Sequence, residues 1–237
     1  MVVDPDGTVH EMPNLGEDVS AAAFSDSAEV VGATNSGRAF LWRPGSSPEI
    51  ILESDDMIVE AWYRNVWISS DGLVLTDTIL WRRGTPEPLP KTALVYGSET
   101  PVDWQMVNSC GEVVGIDSSR HDVVVWDGEE IQAVGHCSFG GGRIIDFSDP
   151  GEIILACYGN GWDVGLIKRS AFTEMRSGRT SLPPRAQPLG GSAPNSYGKV
   201  NSRGTIAYGD VSLWRGGTFS LASLLDSGGY SASFQEG

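Results

Sequence analysis

The sequence predicts an all-β fold built from repeated short sheets, and three observations carry this prediction. A strand that ends in Trp recurs along the chain, a tight-turn sequence recurs ahead of it, and the units repeat about every 40 residues. Units of this length with four short strands are typical of the blades of a β-propeller. We therefore predict a single β-propeller domain over residues 1–237.

The recurring strand is short, apolar and followed by turn-forming residues. Its copies read GRAFLWRPG (37–45), DTILWRRG (77–84), DVVVWDGEE (122–130) and VSLWRGG (211–217). β-branched and aromatic residues favour strands, whereas the Gly and Pro that follow them favour turns. Each copy is interpreted as the third strand of a unit. In the fourth unit Ile167 or Lys168 stands where Trp is expected.

The recurring turn has an apolar residue, then Ser or Asn, then two small or polar residues, and usually Gly. Its copies are AFSDSAEVVGA (23–33), WISSDGLVLTD (67–77), MVNSCGEVVGI (106–116), DFSDPGEIILA (146–156) and KVNSRGTIAYG (199–209). Ser or Asn can bond the backbone just ahead, and Gly supplies the positive φ of a type I turn with a G1 bulge. Ala28 replaces this Gly in the first copy, so that turn must differ or carry strain.

The spacing of the turn-end residues defines the units. The separations are 44, 39, 40 and 53 residues, for Ala28, Gly72, Gly111, Gly151 and Gly204. The first unit should have strands at about 19–24, 29–33, 38–42 and 48–52. The longest interval contains the Pro-, Gly- and Ser-rich stretch 176–195, which is interpreted as a loop between units. The predicted blades cover roughly 17–54, 55–97, 98–135, 136–180 and 192–228.

The two ends of the chain resemble complementary parts of one further unit. Residues 1–16 resemble a third and a fourth strand, and residues 229–237 resemble a first strand with its turn. We therefore predict six blades, the sixth being a composite closing blade that removes exposed strand edges. Its second strand is found at neither end. Three explanations stay open for this missing strand: the closing blade has three strands, a partner supplies the fourth, or the natural chain was cut. The alternative is five blades, with the ends forming an extra strand.

The repeated residues resemble the HAF-type repeat of bacterial extracellular proteins. The similarity is strongest in FSDSAEVVGATNSGRAFLWRPG (24–45), good in 107–130 and 200–217, and poor in 144–175. The resemblance implies a propeller-like fold and supplies no catalytic residues. The chain departs from the repeat at Arg38, where His usually precedes Ala-Phe.

Composition and charge narrow the classes of function. The chain has 16 Lys and Arg against 31 Asp and Glu, a net charge of −15, which disfavours binding to nucleic-acid backbones. No apolar run approaches about 18 residues, so no membrane span is predicted. The first 13 residues do not resemble an export signal. The compartment stays open: cytoplasmic if Met1 is the true start, extracellular if an export segment was removed.

No cofactor is predicted. The three cysteines, Cys110, Cys137 and Cys157, show no metal-binding spacing, and we interpret them as small apolar thiols, a disulfide being the alternative in an exported protein. Calcium at the acidic loops 16–18, 53–56 or 127–130 is also an alternative, although no D-x-D-x-D pattern is present.

The candidate ligand site lies at the mouth of the central channel, because first strands line that channel in a propeller. Eight residues before each turn end stands a polar side chain. Aromatic residues lie near the same strand starts and would suit flat ligands or sugars, although the favoured interpretation is that they pack in the core. The polar set is Ser20, Arg64, Asp103, Arg143 and Ser196, and the aromatic set is Trp62, Trp104 and Tyr197.

The sequence favours a binding module that presents this polar mouth to a protein, a glycan or a small polar ligand. The first alternative is a small-molecule enzyme of lyase, isomerase or hydrolase type, with Asp103 as base and Arg64 and Arg143 as oxyanion donors. The second alternative is an acidic protein that neutralises a basic partner.

Overall fold

The structure is a computed structural model that confirms the all-β prediction. It describes residues 1–3, 6–52, 66–82, 84–95, 97–136, 142–158, 162–168, 187–192, 198–200, 206–208, 212–214 and 218–220. Over these ranges every regular element is a strand, and none of their residues belongs to a helix that could cross a bilayer.

The described strands form one hairpin and five larger sheets. The hairpin is β1 (Val2–Val3) with β2 (Val9–His10). Sheet 1 is β3 (Val19–Phe24), β4 (Val30–Thr34), β5 (Ala39–Trp42) and β6 (Glu49–Leu52). Sheet 2 is β7 (Trp67–Ile68), β8 (Val74–Leu75), β9 (Ile79–Arg82) and β10 (Thr85–Pro88).

Sheet 3 is β11 (Thr92–Val95), β12 (Ser98–Val107), β13 (Val113–Asp117), β14 (Asp122–Trp126) and β15 (Ile131–His136). Sheet 4 is β16 (Gly142–Phe147), β17 (Ile153–Tyr158), β18 (Trp162–Ile167) and β19 (Gln187–Ser192). Sheet 5 is β20 (Gly198–Val200), β21 (Ile206–Tyr208), β22 (Ser212–Trp214) and β23 (Thr218–Ser220).

Each sheet is a meander in which every strand lies next to its neighbour in sequence. The four strands of sheet 1 fall within one or two residues of those expected. Two sheets differ from the prediction: β11 joins sheet 3 as a fifth strand by pairing with β12, and β19 lies inside the stretch interpreted as a loop. In sheet 4, Ile167 opposite Ile153 takes the place that Trp42 opposite Val30 has in sheet 1.

The recurring turn is built as predicted in the four copies that the structure describes. In the first, the Glu29 backbone N–H donates to the Ser25 hydroxyl at 3.2 Å, and the Ala28 N–H donates to the Ser25 carbonyl at 3.0 Å. In the other three turns the same two bonds are accepted by the side-chain and carbonyl oxygens of Ser69, Asn108 and Ser148. The fifth turn, 201–205, lies outside the described residues.

Ala28 adopts the same conformation as the glycines that replace it elsewhere. Its φ is 60°, against 81°, 82° and 86° for Gly72, Gly111 and Gly151. For a residue with a side chain, this left-handed backbone conformation is about 1–2 kcal/mol higher in free energy than the right-handed helical conformation. Of the two outcomes predicted for the first turn, the structure shows the strained one.

The chain divides into two compact units. The first consists of Met1–Gly115 and Val125–Ile131, and the second of Ile116–Val124 and the residues from Gln132 onward. In the first unit, β7 contacts both β3 and β12, which also precede the recurring turns of their sheets. In the second unit, β20 contacts β16 in the same way. Within each unit, the strands ahead of the recurring turn are therefore neighbours.

Sheet 1 carries apolar residues on both faces because the side chains of a strand alternate. One face contributes Val31 and Leu41 to a core closed by Ile68 and Val74 of sheet 2. The other face contributes Val30, Phe40 and Trp42, and the residues that pack against it are partly buried: Ile50 of β6 and apolar residues of the N-terminal segment. They include Val2, Met12 and Leu15.

The interpretation of all three cysteines as thiols is wrong. Cys157 is disulfide-bonded, whereas Cys110 is an exposed free thiol and Cys137 lies outside the described residues. Cys157 stands opposite Gly142 in the pairing of β17 with β16. Its surroundings depend on that pairing, which the spacing of cysteines along the chain does not reveal.

Candidate functional site

Four of the eight predicted site residues are described. Ser20 lies on β3, Asp103 and Trp104 on β12, and Arg143 on β16. The other four lie outside the described residues: Arg64, Ser196, Trp62 and Tyr197.

The three described polar residues occupy equivalent places in their sheets. Ser20 stands opposite Ala33, and Arg143 stands opposite Ala156 at the corresponding point of sheet 4. The positions eight residues before the turn ends therefore lie on the first strands of these sheets, as predicted. Ser20 is half-buried, whereas Asp103 and Arg143 are exposed.

Two glycines hold the second strand close beneath these positions. A side chain on Gly32 would collide with the Ser20 carbonyl oxygen, and one on Gly115 would come within 2.5 Å of the Asp103 carbonyl oxygen. The backbones of Ser20 and Asp103 therefore make the same close approach to a glycine of the next strand. Their strands, β3 and β12, both contact β7 within the first unit.

Asp103 is part of a polar pair that sequence reasoning missed. The Gln105 side-chain amide donates to Asp103 Oδ2 at 2.8 Å. Residues two apart on a strand share a face, so a polar residue at i+2 was the available signal. A carboxylate and an amide side by side offer acceptors together with N–H donors.

Trp104 is a core residue. It is 1% exposed, and its indole N–H donates to the Pro90 carbonyl at 2.8 Å. The strand turns this ring to the face opposite Asp103 and Gln105. Its aromatic surface is therefore used in packing.

A buried pair of aspartates lies at the β13–β14 turn. Asp117 accepts backbone N–H bonds from Ser119, Arg120 and Asp122, at 3.0, 3.0 and 3.1 Å, and also a bond from the Ser119 hydroxyl. Burial raises the pKa of Asp117, but these bonds together outweigh it and lower the pKa overall.

The pKa of Asp122 is shifted in the opposite direction, upward. It is 6% exposed, and its Oδ2 is buried without a hydrogen-bond partner. Burial raises the pKa of Asp122, and the nearby charge of Asp117 raises it further, while His136 opposes the shift. The two carboxyl groups of this turn therefore have pKa values shifted in opposite directions.

An apolar cleft of about 930 Å³ lies beside the face of sheet 1 that carries Phe40 and Trp42. Its lining includes Val30, Phe40 and Trp42 of that face. Met1 and Val3 from the hairpin end and the exposed Phe24 of β3 also line it. Apart from Ser25 and Asp26, every lining residue is apolar. Such a surface suits an apolar polypeptide segment better than a charged ligand.

The described residues contain no group of three or more His, Cys, Asp or Glu side chains arranged to hold a metal ion.

Comparison with solved structures identifies the fold. The chain resembles YCF48 bound to D1 peptide, with a TM-score of 0.51 and 12% identity over 90% of this chain and 68% of that one. It also resembles the gluconolactonase XC5397 from Xanthomonas campestris, with a TM-score of 0.53 and 11% identity over 90% of this chain and 74% of that one. The fold is a β-propeller.

No protein-family profile and no curated protein sequence matches the chain. The likeness to the HAF-type repeat therefore remains a resemblance, while the propeller-like arrangement that it implies is confirmed. At 11–12% identity the solved structures show the fold alone.

Proposed function

We propose that the chain is a ligand-binding β-propeller module whose ligand contacts the polar side chains at the starts of the first strands. The observation that carries this proposal is the repeated placement of Ser20, Asp103 and Arg143 at one position of their sheets. Exposed loops and strand ends on a rigid scaffold are the usual places of binding residues.

The chemistry of the Asp103–Gln105 pair favours a hydroxyl-rich ligand such as a sugar or a sugar acid. The Asp103 carboxylate can accept bonds from hydroxyl groups, and the Gln105 amide can both donate and accept. The Ser20 hydroxyl offers a further donor and acceptor. In the second unit, Arg143 stands at the equivalent position of its own sheet, where its guanidinium would suit a carboxylate group.

The six-bladed arrangement, with residues 229–237 and 1–16 in one closing blade, is part of the proposal. A closed ring would leave no sheet edge unpaired at the chain ends. Five blades with an added terminal strand is the alternative.

An enzyme at the same site is the second candidate. The resemblance to a gluconolactonase motivates it, and Asp103 would serve as the base. A peptide ligand is the third, because the solved YCF48 is bound to a peptide. We favour binding, since the described residues around Asp103 offer hydrogen bonds without an evident activated nucleophile.

The test is equilibrium titration of the full chain with glucose, gluconate and glucono-δ-lactone. We expect saturable binding that Asp103→Ala weakens about 10-fold or more, because a hydrogen bond to a charged group contributes about 1.5–3 kcal/mol. The control is Asp71→Ala, which removes an exposed turn carboxylate of sheet 2 and should leave affinity unchanged.

Three results would count against this proposal. Absence of saturation by all three probes would contradict a sugar site, and equal losses in the two variants would contradict a role for Asp103. Hydrolysis of the lactone that Asp103→Ala abolishes would favour the enzyme.

A further inference from the structure

Two strands at sheet edges, β10 of sheet 2 and β11 of sheet 3, differ in the hydrogen-bond donors that they present outward. Among the described strands each has one neighbour, β9 for β10 and β12 for β11. In an antiparallel pair, hydrogen-bonded and non-hydrogen-bonded positions alternate, so every second residue turns its backbone N–H and C=O away from the partner strand. These outward groups are the ones that a further strand would use.

The outer edge of β10 is blocked by two prolines. The Leu89 N–H donates to the Thr78 carbonyl at 2.9 Å, which fixes the alternation along this pair. By that alternation Pro86 and Pro88 stand at non-hydrogen-bonded positions and turn outward. Proline has no N–H, so neither position offers a donor to another chain. Edge strands protected in this way resist pairing with a further strand.

The outer edge of β11 has no such block. The Val102 N–H donates to the Lys91 carbonyl at 3.2 Å, which fixes the alternation between β11 and β12. By that alternation Thr92 and Leu94 turn outward, and both have a backbone N–H. Pro101 stands opposite Thr92 and removes the outward donor from the other side of this hairpin. Within the described part of the chain, no strand pairs with the outer edge of β11.

The exposed face of the same hairpin carries an apolar residue beside a carboxylate. Leu94 is 71% exposed and stands opposite Glu99 of β12, which is also exposed. The other face of the hairpin is buried, with Ala93 and Thr100 in it. A strand added to β11 would lie about 10 Å from β12, since neighbouring strands are about 4.8 Å apart. A long cationic side chain on that strand can reach Glu99 across Leu94.

We propose that the outer edge of β11 binds an extended cationic peptide segment of a partner protein by β-strand addition. Thr92 and Leu94 supply the main-chain hydrogen bonds, and an apolar side chain of the peptide packs on Leu94. A lysine or arginine two residues away on the same face of the peptide pairs with Glu99. Charge favours this partner over a second copy of the chain, because two chains that each carry a net charge of −15 repel one another. The proposal does not rest on the sugar site.

Fluorescence anisotropy with a designed peptide tests the proposal. The probe is a labelled heptapeptide, Thr-Lys-Thr-Val-Thr-Lys-Thr, in which the valine and both lysines share one face. We expect the full chain to bind it saturably. N-methylation of the valine, whose N–H would face β11, should weaken binding about 10-fold or more. The matched control is N-methylated at the two threonines beside the valine, whose N–H groups would point away, and should bind within about twofold of the parent peptide.

Variants of the hairpin test the same contact from the side of the protein. Leu94→Pro copies the block present in β10 and spares the bonds to β12, so it should weaken peptide binding about 10-fold or more. Its control, Leu94→Val, keeps the donor and an apolar side chain and should bind within about twofold of the parent chain. Glu99→Gln should weaken binding about threefold, as expected for an exposed ion pair. Thermal unfolding checks that each variant is folded.

Four results would overturn the proposal. They are absence of saturation by the heptapeptide, equal losses for the two methylated peptides, parent-like binding by a folded Leu94→Pro variant, and equal binding of a peptide with glutamate in place of both lysines. A dimer of the parent chain that Leu94→Pro abolishes would assign the edge to a second copy, which would overturn it as well. The methylated peptides decide the matter even if Leu94→Pro does not fold. Titration with gluconate reports on Asp103 separately, so the two proposals can fail independently.

Discussion

The two faces of sheet 1 carry similar apolar residues but have different coverings. Leu41 belongs to the face that sheet 2 closes, while its neighbour Phe40 belongs to the face beside the cleft. The apolar pattern of a strand sets which side chains leave water, but not which segment covers them. Among the described residues, the second face is covered by the N-terminal segment and by Ile50 of β6 rather than by a neighbouring four-stranded sheet.

The largest effects are expected when these two neighbouring side chains, Phe40 and Leu41, are each truncated to Ala. Phe40→Ala should lower the free energy of unfolding by about 4 kcal/mol and Leu41→Ala by about 3 kcal/mol, because both leave cavities in packed cores. Chemical denaturation measures both values. A loss below about 1 kcal/mol for Phe40→Ala would mean that the face beside the cleft contributes little to the core.

The next effect tests whether the N-terminal segment covers the second face of sheet 1 in solution. Leu15→Ala should lower the free energy of unfolding by about 1–2 kcal/mol, because Leu15 is partly buried against that face. The control Leu94→Ala, at an exposed side chain of β11, should change it by no more than about 0.5 kcal/mol. Denaturation curves of the two variants give the comparison, and equal small losses would contradict the packing of Leu15.

A smaller effect concerns the turn that joins β3 to β4. Ala28→Gly should stabilise the chain by about 1 kcal/mol, since Ala28 has a φ of 60° that glycine adopts without strain. Gly72→Ala, at the same place in sheet 2, is the control and should destabilise. Thermal unfolding of both variants decides the matter, and a destabilised Ala28→Gly would contradict the strained turn.

The pH dependence of stability gives the smallest expected effect. Because burial raises the pKa of Asp122, the folded chain holds this proton more tightly than the unfolded chain. The free energy of unfolding should therefore fall as the pH rises from the ordinary carboxyl range through the raised pKa of Asp122.

Asp122→Asn should remove that fall, so its stability relative to the parent chain should increase as the pH rises from about 4, the ordinary value for Asp, through the raised pKa of Asp122. The contribution of Asp117 has the opposite sign, because its lowered pKa adds stability that is lost only as the pH falls through that value. Asp71→Asn, at an exposed turn, serves as the control. Denaturation at several pH values measures the difference, and parallel curves for Asp122→Asn and the parent would contradict a raised pKa.

The sequence predicted the local structure well because that structure depends on local chemistry. Ser25 and Ala28 sit in the predicted turn with the predicted bonds, and the same counting led to equivalent positions for Ser20 and Arg143. The features that it missed depend on contacts between strands. They are the disulfide of Cys157 and the pairing of β11 with β12. For Trp104 the sequence left both packing in the core and ligand binding open, and its burial agrees with packing in the core.

The candidate site was predictable only in part for the same reason. Alternation along β12 puts Asp103 and Gln105 on one face, but their hydrogen bond depends on side-chain geometry. The apolar cleft gave no signal, because it arises from a difference in covering between two faces whose sequences look alike.

A double-mutant cycle between Phe40 and Leu15 tests most directly whether the N-terminal segment covers the second face of sheet 1. The free energies of unfolding of Phe40→Ala, Leu15→Ala and the double variant would be compared with that of the parent chain. Packing of Leu15 against this face predicts a coupling free energy of about 1 kcal/mol. Losses that add within about 0.3 kcal/mol would contradict this packing.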